Sequence, residues 1–309
     1  MFKNFKCLII GYGSIGKRHA KLLAKICGKS SVFILSKKKI KNYKSFENLN
    51  DVSKINFNYI VISSPTSTHH SQIKFIEKNY NDTLVLVEKP LLHKFKKIKI
   101  RNNKFFVGYN LRFHPIIKFL KEKINKKKVF STIINCSSFL PEWRKNVDYK
   151  NIYSSKKKLG GGVLLDLSHE LDYFQFLFGK LKYKNIHFIK KNKISDLKVN
   201  VEDNAIIQGK QKKMDFLINI NFFSKNICRE IILETNNETI KSDLINYSLQ
   251  IYSKKNNSIK KIKIRYADTY FEQHLNLLKR KFNDLCSFDD GLKLINLIDN
   301  LKKNSKNKK

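Results

Sequence analysis

The sequence predicts an α/β protein in two parts: a doubly wound parallel sheet, then an α+β domain with a large open, mainly antiparallel sheet. Three observations carry that expectation. Short, almost wholly apolar runs alternate with helical patterns through the first third of the chain, as parallel strands covered on both faces do. Beyond about residue 125 the apolar period becomes two, the mark of half-exposed antiparallel strands. A glycine-rich turn follows the first apolar run and opens an amphipathic helix. With 309 residues, 41% of them apolar, the chain can bury two cores, expected over 1–117 and 118–309.

In order, strands are predicted at Lys6–Ile10, Val32–Leu35, Tyr59–Ile62, Thr83–Val87 and Phe105–Val107, where β-branched and aromatic residues concentrate. Farther on, Met214, Phe216, Ile218, Ile220 and Phe222 share one strand face. So do Ile245, Tyr247, Leu249 and Ile251, and then Ile262, Ile264 and Tyr266. One helix, about Leu164–Phe178, interrupts these strands; two more, about Thr269–Leu285 and Asp289–Leu301, follow them. The Lys/Asn-rich tail from Lys302 to Lys309 is expected to fray.

A formal net charge of +38 ordinarily points to a nucleic-acid or anionic-membrane partner. Here Lys is scattered along the whole chain, and Asn, Ile and Phe are abundant as well, as in an AT-rich coding bias. Lysine filling solvated positions therefore outweighs a polyanion surface, and without a DNA- or RNA-binding motif no nucleic-acid partner is expected. Five dispersed cysteines, in no CxxC or metal-ligand spacing, read as small buried hydrophobes, and no metal is expected. No apolar run approaches the roughly 18 residues of a membrane span, and Cys7–Ile10 is too short for a signal, so no membrane partner and a cytoplasmic location are expected.

Glycine is scarce, yet six of 11 fall in two clusters, Gly11/Gly13/Gly16 and Gly160/Gly161/Gly162. Backbone geometry explains such sparing. Directly after a strand, Gly11 suits a tight turn, Gly13 the close approach of a pyrophosphate, and Gly16 the packing of helix on strand. A Rossmann dinucleotide site is favoured over a merely structural turn, with Gly11, Tyr12, Gly13, Ser14, Ile15 and Gly16 as cofactor contacts.

The second strand lacks the acid that ordinarily holds the ribose 2′-hydroxyl: no Asp or Glu occurs between Lys17 and Phe46, and the run reads Leu35-Ser36-Lys37-Lys38-Lys39. Ser36 and Lys37 suit a 2′-phosphate, which makes NADP the preferred cofactor and NAD the alternative; lysine bias alone gives the same run. The strand Tyr59–Ile62 leads into Ser63, Ser64, Pro65, Thr66 and His69, all cofactor-side candidates, although an N-capped loop looks alike. The next strand ends in Glu88 and Lys89, a charged pair at the carboxyl edge of a parallel sheet, where ligands bind; the bland alternative for Lys89 is a surface cation.

These residues resemble the glucose-fructose oxidoreductase, inositol dehydrogenase and MocA family (Gfo/Idh/MocA) of NAD(P)-dependent oxidoreductases. The resemblance rests on GYGSIGKRH at 11–19, SPTSTH at 64–69, EKP at 88–90, GYNLRFHP at 108–115, GGGVLLDLSHELD at 160–172 and DGLKLINLI at 290–298, in this order. It implies a Rossmann domain followed by a domain whose open sheet serves the substrate pocket and often a homo-oligomer interface. It also implies that Lys89, frequently followed by a cis proline, acts in proton transfer or substrate positioning. Asp166 and His169, after the triple glycine, complete the catalytic set by the same resemblance. Many members space these two by four; here they are three apart with Asp172 three further on, positions that share roughly one helix face. A helix N-cap remains the alternative for Asp166 and a core histidine for His169.

The stretch Phe139–Arg144, leading through Asp148-Tyr149 and Tyr153-Ser154 to the triple glycine, looks like the subgroup found in surface-polysaccharide and nucleotide-sugar pathways. Trp143 and Arg144 would then stack on a sugar and hold a carboxylate or phosphate, against the alternative of an aromatic plug with a surface arginine. Asn110, Arg112 and Asp172 are further substrate-side candidates. The expected activity is hydride transfer between nicotinamide and a carbinol carbon of a sugar or sugar nucleotide, a small-molecule substrate. A catalytically silent NAD(P)-binding protein and a dehydrogenase for a non-sugar substrate are the rivals.

Overall fold

The computed structural model of the chain describes residues 2, 5–38, 40–253, 258–303 and 306–307. They divide into two units, Met1–Asn110 with Asp268–Ile295, and Leu111–Ala267 with Asn296–Lys309. The first carries β1 (Cys7–Ile10), α1 (Ser14–Cys27), β2 (Val32–Leu35), β3 (Lys44–Phe46), α2 (Leu49–Val52), β4 (Tyr59–Ile62), α3 (Thr66–Asn79), β5 (Leu84–Val87) and β6 (Lys104–Val107). Its strands lie in the order β6-β5-β4-β1-β2-β3, all parallel, with Cys286–Ser287 added antiparallel along β6. Every residue of β1, β4 and β5 is buried, which is why these runs are continuously apolar. The strand β3 has no apolar run to announce it; Lys44 and Ser45 are exposed.

The order reverses between β1 and β4, so the turns leaving these two strands are adjacent at the carboxyl edge, where open α/β sheets bind ligands. The segment 268–295 belongs to the first unit, whereas a sequential reading gives one boundary after residue 117. Helix Thr269–Leu278 buries Gln273, His274, Leu277 and Leu278, and the two-residue strand after it completes the sheet edge. Neither feature has a periodicity that names its partner.

The second unit carries α4 (Pro115–Ile124), β7 (Val129–Phe139), α5 (Val163–Asp166), α6 (Ser168–Phe178), β8 (Ile186–Asn192), β9 (Asn204–Gln211), β10 (Met214–Asn221), β11 (Phe223–Thr235), β12 (Glu238–Asp243), β13 (Ser248–Ser253) and β14 (Ser258–Lys263). They form a nine-stranded sheet, β14-β13-β12-β11-β7-β10-β9-β8, ending on Lys306–Asn307. Among the described strands of this sheet only β7 and β10 pair in parallel. In β10 the alternation holds, with Met214, Phe216, Ile218 and Ile220 buried.

Five expectations need correction. Ile264 and Tyr266 do not share a strand face with Ile262, because β14 ends at Lys263. Ile245 and Tyr247 do not continue the face of Leu249 and Ile251: the Asp243 carboxylate accepts from the Ile245 and Asn246 amides, Tyr247 takes φ 53°, and the chain turns there. The helix expected to continue to Leu285 stops at Leu278, followed by Arg280 at φ 55°. Of the tail, Lys302 and Lys303 end a helix (Phe288–Lys303) and Lys306–Asn307 pairs with β8, while residues 304, 305, 308 and 309 lie outside the described residues. Cys7, Cys136 and Cys286 are buried as expected, but Cys27 and Cys228 are only half-buried. Among the described residues no helix is long and apolar enough to cross a membrane.

Candidate active-site residues

The glycine turn has the geometry its pattern requires. Gly11 takes φ +94°, and a Cβ there would lie 2.6 Å from the Ser64 amide nitrogen, while one on Gly16 would lie 2.1 Å from the Gly11 carbonyl oxygen. Gly13 differs: it caps α1 without a side chain and faces nothing within 4 Å. Open space before the uncapped amides of a 14-residue helix fits a dinucleotide phosphate. The Ser63 hydroxyl donates to the Gly11 carbonyl at 2.9 Å and holds the β4 turn against the β1 turn. At the end of β2, Ser36 is half-buried and Lys37 exposed, and the Ser36 hydroxyl accepts from the Lys38 amide at 3.1 Å; Lys39 lies outside the described residues.

His69 is committed to the scaffold. It is 1% exposed, with its ring nitrogens 3.1 Å from the Leu91 carbonyl and 3.0 Å from the Ser64 carbonyl, and burial lowers its pKa. Its side chain shapes the loop, while Ser64 spends its hydroxyl on Gln72 at 2.6 Å and Thr68 at 2.9 Å. Pro65 caps α3 and Thr66 is its first residue.

Glu88 and Lys89 stand directly beyond β5. Glu88 is buried, its carboxylate accepting from His19 Nε2 at 2.9 Å and, through the other oxygen, from the Lys89 amide at 3.2 Å. The Lys89–Pro90 peptide is cis. Asn110 is buried and donates to Thr269 at 2.5 Å within the same unit.

In the second unit the helix expected as one piece is two. Leu167, at φ −95° and ψ 29°, breaks it, so Asp166 ends α5 and His169 lies in the first turn of α6. The two are not related by one uninterrupted helix face, and Asp166 is not an N-cap. Both are buried, Asp166 at 3% and His169 at 8% exposure. Ahead of them Gly162 takes φ +113° and Gly161 admits no Cβ, which would meet the Tyr153 and Ser154 carbonyl oxygens at 2.4 Å. Gly161 thus lets the Tyr153–Ser155 turn lie against the segment that leads into α5, while Gly162 makes room for the Glu202 carboxylate. Burial, then the Asp166 carboxylate beside it, push the Tyr153 phenol well above its usual range, and Arg144 opposes them. Tyr153 and Asp166 are therefore hydrogen-bonding neighbours, with the Arg144 charge acting on them only through its field. The Trp143 and Phe222 rings meet edge to face with centroids 5.1 Å apart, and the Trp143 indole donates to Ser138 at 3.0 Å, keeping 36% of its surface exposed.

Arg112 and Asp172 hold each other. Arg112 Nε lies 2.9 Å from Asp172 Oδ2 and Nη2 lies 2.7 Å from Oδ1, with 7% and 2% of the side chains exposed. A bidentate pair this buried ties Arg112 to α6, each charge neutralising the other.

Comparison with known families settles the kinship. The model described as oxidoreductase family, NAD-binding Rossmann fold, matches residues 5–101, and that described as oxidoreductase family, C-terminal alpha/beta domain, matches 121–309. The chain belongs to the Gfo/Idh/MocA family. Among solved structures, levoglucosan dehydrogenase in complex with NADH and levoglucosan is similar at 14% identity and TM-score 0.80, covering 97% of this chain and 96% of that one. UDP-N-acetylglucosamine 3-dehydrogenase from Acidithiobacillus ferrooxidans is similar at 15% identity and TM-score 0.73, covering 96% of each chain. The WlbA dehydrogenase from Bordetella pertussis, in complex with NADH and UDP-GlcNAcA, is similar at 15% identity and TM-score 0.72, covering 96% of this chain and 95% of that one. At such identities the likeness is one of fold. No curated protein sequence matches the chain.

Within this Gfo/Idh/MocA member, the pairing of Tyr153 with Asp166 and the role of His19 escape a sequence reading. Tyr153 has no pattern that links it to Asp166; only the glycine-permitted turn does. His19 carried a usable signal, since it occupies the buried stripe Gly16, His19, Ala20, Leu23 of α1, where a polar side chain needs a partner.

Proposed function

We propose that this oxidoreductase is an NAD(P)-dependent dehydrogenase or reductase acting at a CH–OH carbon of a sugar or sugar nucleotide. The observation that carries the reading is a lysine on an anchored peptide at the carboxyl edge of β5, in the same sheet as a glycine turn open at Gly13. The nucleotide-sugar and sugar dehydrogenases of like fold support the substrate class.

The dinucleotide, held by Gly11, Tyr12, Gly13, Ser14, Ile15 and Gly16 with Ser63, Ser64, Pro65 and Thr66, supplies a hydride acceptor or donor when bound. Lys89 takes the proton from the carbinol oxygen in oxidation and returns it in reduction. His169 is the second acid/base group or donates to a neighbouring hydroxyl, and Asp166 with Tyr153 sets the charge around it. Trp143 and Arg144 offer a stacking edge and a cation to the sugar and its phosphate. Copies associate through the outer face of the large sheet, where Ile133 lies in register with Leu217 and Ile232.

In a panel of UDP-hexoses and simple sugars with either cofactor, at least one UDP-hexose is expected to change nicotinamide absorbance at a rate above every simple sugar. Turnover confined to non-sugar alcohols would overturn the substrate class. For the cofactor, a half-buried hydroxyl and an exposed cation at the end of β2, with no acid there, favour a 2′-phosphate. NADP is expected to bind about tenfold more tightly than NAD, from one charge-assisted contact. Calorimetric titration of both into wild type and Ser36→Asp/Lys37→Ala decides it: equal wild-type affinities would refute the preference.

A further inference from the structure

A chain of buried polar groups runs from Glu88 through the first unit. His19 Nε2 lies 2.9 Å from Glu88 Oε1, His19 Nδ1 lies 2.8 Å from His274 Nε2, and His274 Nδ1 lies 2.9 Å from the Tyr59 hydroxyl. His19, His274 and Tyr59 are each 0% exposed and Glu88 6%. Four elements meet in it: α1, the end of β5, β4, and helix Thr269–Leu278.

Its protons can be assigned. With both imidazoles neutral, Tyr59 donates to His274 Nδ1, His274 Nε2–H donates to His19 Nδ1, and His19 Nε2–H donates to the ionised Glu88. Each bond then has one donor and one acceptor. Reversing the chain would require the Tyr59 hydroxyl to accept from His274 and find another acceptor for its own proton. Burial holds His274 well below the usual histidine range, which agrees with the neutral form. The relay ends inside the protein at Tyr59, so it has no outlet for protons and serves to hold Glu88. Backbone space is kept for that carboxylate: a Cβ on Gly108 would lie 2.9 Å from Glu88 Oε1.

We infer that Tyr59, His274 and His19 are positioning residues for Lys89, acting through Glu88, whose second oxygen accepts from the Lys89 amide. The inference rests on the proposed role of Lys89. It also explains why the segment 268–295 returns to the first unit. His274 supplies the middle link, so a helix far downstream in sequence fixes the peptide that bears the lysine.

The test compares His274→Leu, which removes both polar contacts, with His274→Gln, which restores a donor and an acceptor, and Tyr59→Phe, which deletes only the terminal hydroxyl. Trace acetylation of the NAD-bound protein with acetic anhydride, read at each lysine by mass spectrometry, reports the setting of the Lys89 amine without turnover. In His274→Leu the Lys89 rate is expected to change about threefold or more relative to other lysines, with NAD affinity within about twofold of wild type, and His274→Gln is expected to restore it. On a turned-over substrate the same variant should lose about tenfold in kcat with KM nearly unchanged. Unchanged Lys89 labelling in His274→Leu, with only a lower Tm, would reduce the relay to core packing. If His274→Leu does not fold, Tyr59→Phe must show the Lys89 change, and unchanged labelling there overturns the inference. An active Lys89→Ala enzyme would instead remove the proposed role of Lys89, an outcome that labelling keeps separate.

Discussion

Replacing Lys89 with alanine is expected to lower kcat by about 100-fold or more, the range of a lost general acid/base, with cofactor affinity and Tm close to wild type. The expectation follows from how the residue is mounted. Glu88 is buried and tied to His19, and its carboxylate takes the Lys89 amide, so the backbone at Lys89 is fixed before the side chain does any chemistry. Truncation beyond Cβ removes the amine and leaves those backbone bonds intact. Lys89→Arg separates charge from proton transfer: the guanidinium keeps the cation and does not release a proton near neutral pH. Steady-state kinetics with the best sugar nucleotide, beside calorimetric cofactor binding and thermal melts, checks both variants. Turnover of Lys89→Ala within about threefold of wild type would exclude proton transfer by this side chain.

Asp172→Ala is expected to destabilise the protein by about 3–5 kcal/mol, the usual penalty for stranding one member of a buried ion pair. Arg112 is bound through Nε and Nη2, and its guanidinium also lies 5.1 Å from the Phe176 ring. Without the carboxylate that charge is left in a site with almost no access to water. Asp172→Leu/Arg112→Met is expected to recover most of the loss, because an apolar pair of similar volume removes the uncompensated charge. Denaturant unfolding gives the comparison. A single-variant loss below about 1 kcal/mol, together with a large rise in KM, would favour the substrate role for this pair.

The first unit was legible because its determinants are local. A strand buried on both faces must be apolar throughout, and a turn where a Cβ would come within 2.6 Å of a neighbouring backbone must be glycine, so β1, β4, β5 and Gly11 announced themselves. The motif order also named the family, and the alternation in β10 gave the second sheet its inward face. The break at Leu167 was hidden, since an apolar-rich helical pattern continues across it and only the ψ of one residue interrupts the helix. Partners distant in sequence were hidden too. Nothing local says that Asp172 belongs to Arg112, that Tyr153 stands beside Asp166, or that His274 completes a relay begun at His19. The sequence by itself determined the strands, the glycine turn and the kinship. Tertiary structure alone decided which buried charges neutralise one another and which are tied to the residues proposed for chemistry, because a buried polar group is satisfied by whatever the fold brings within about 3 Å, at any separation along the chain.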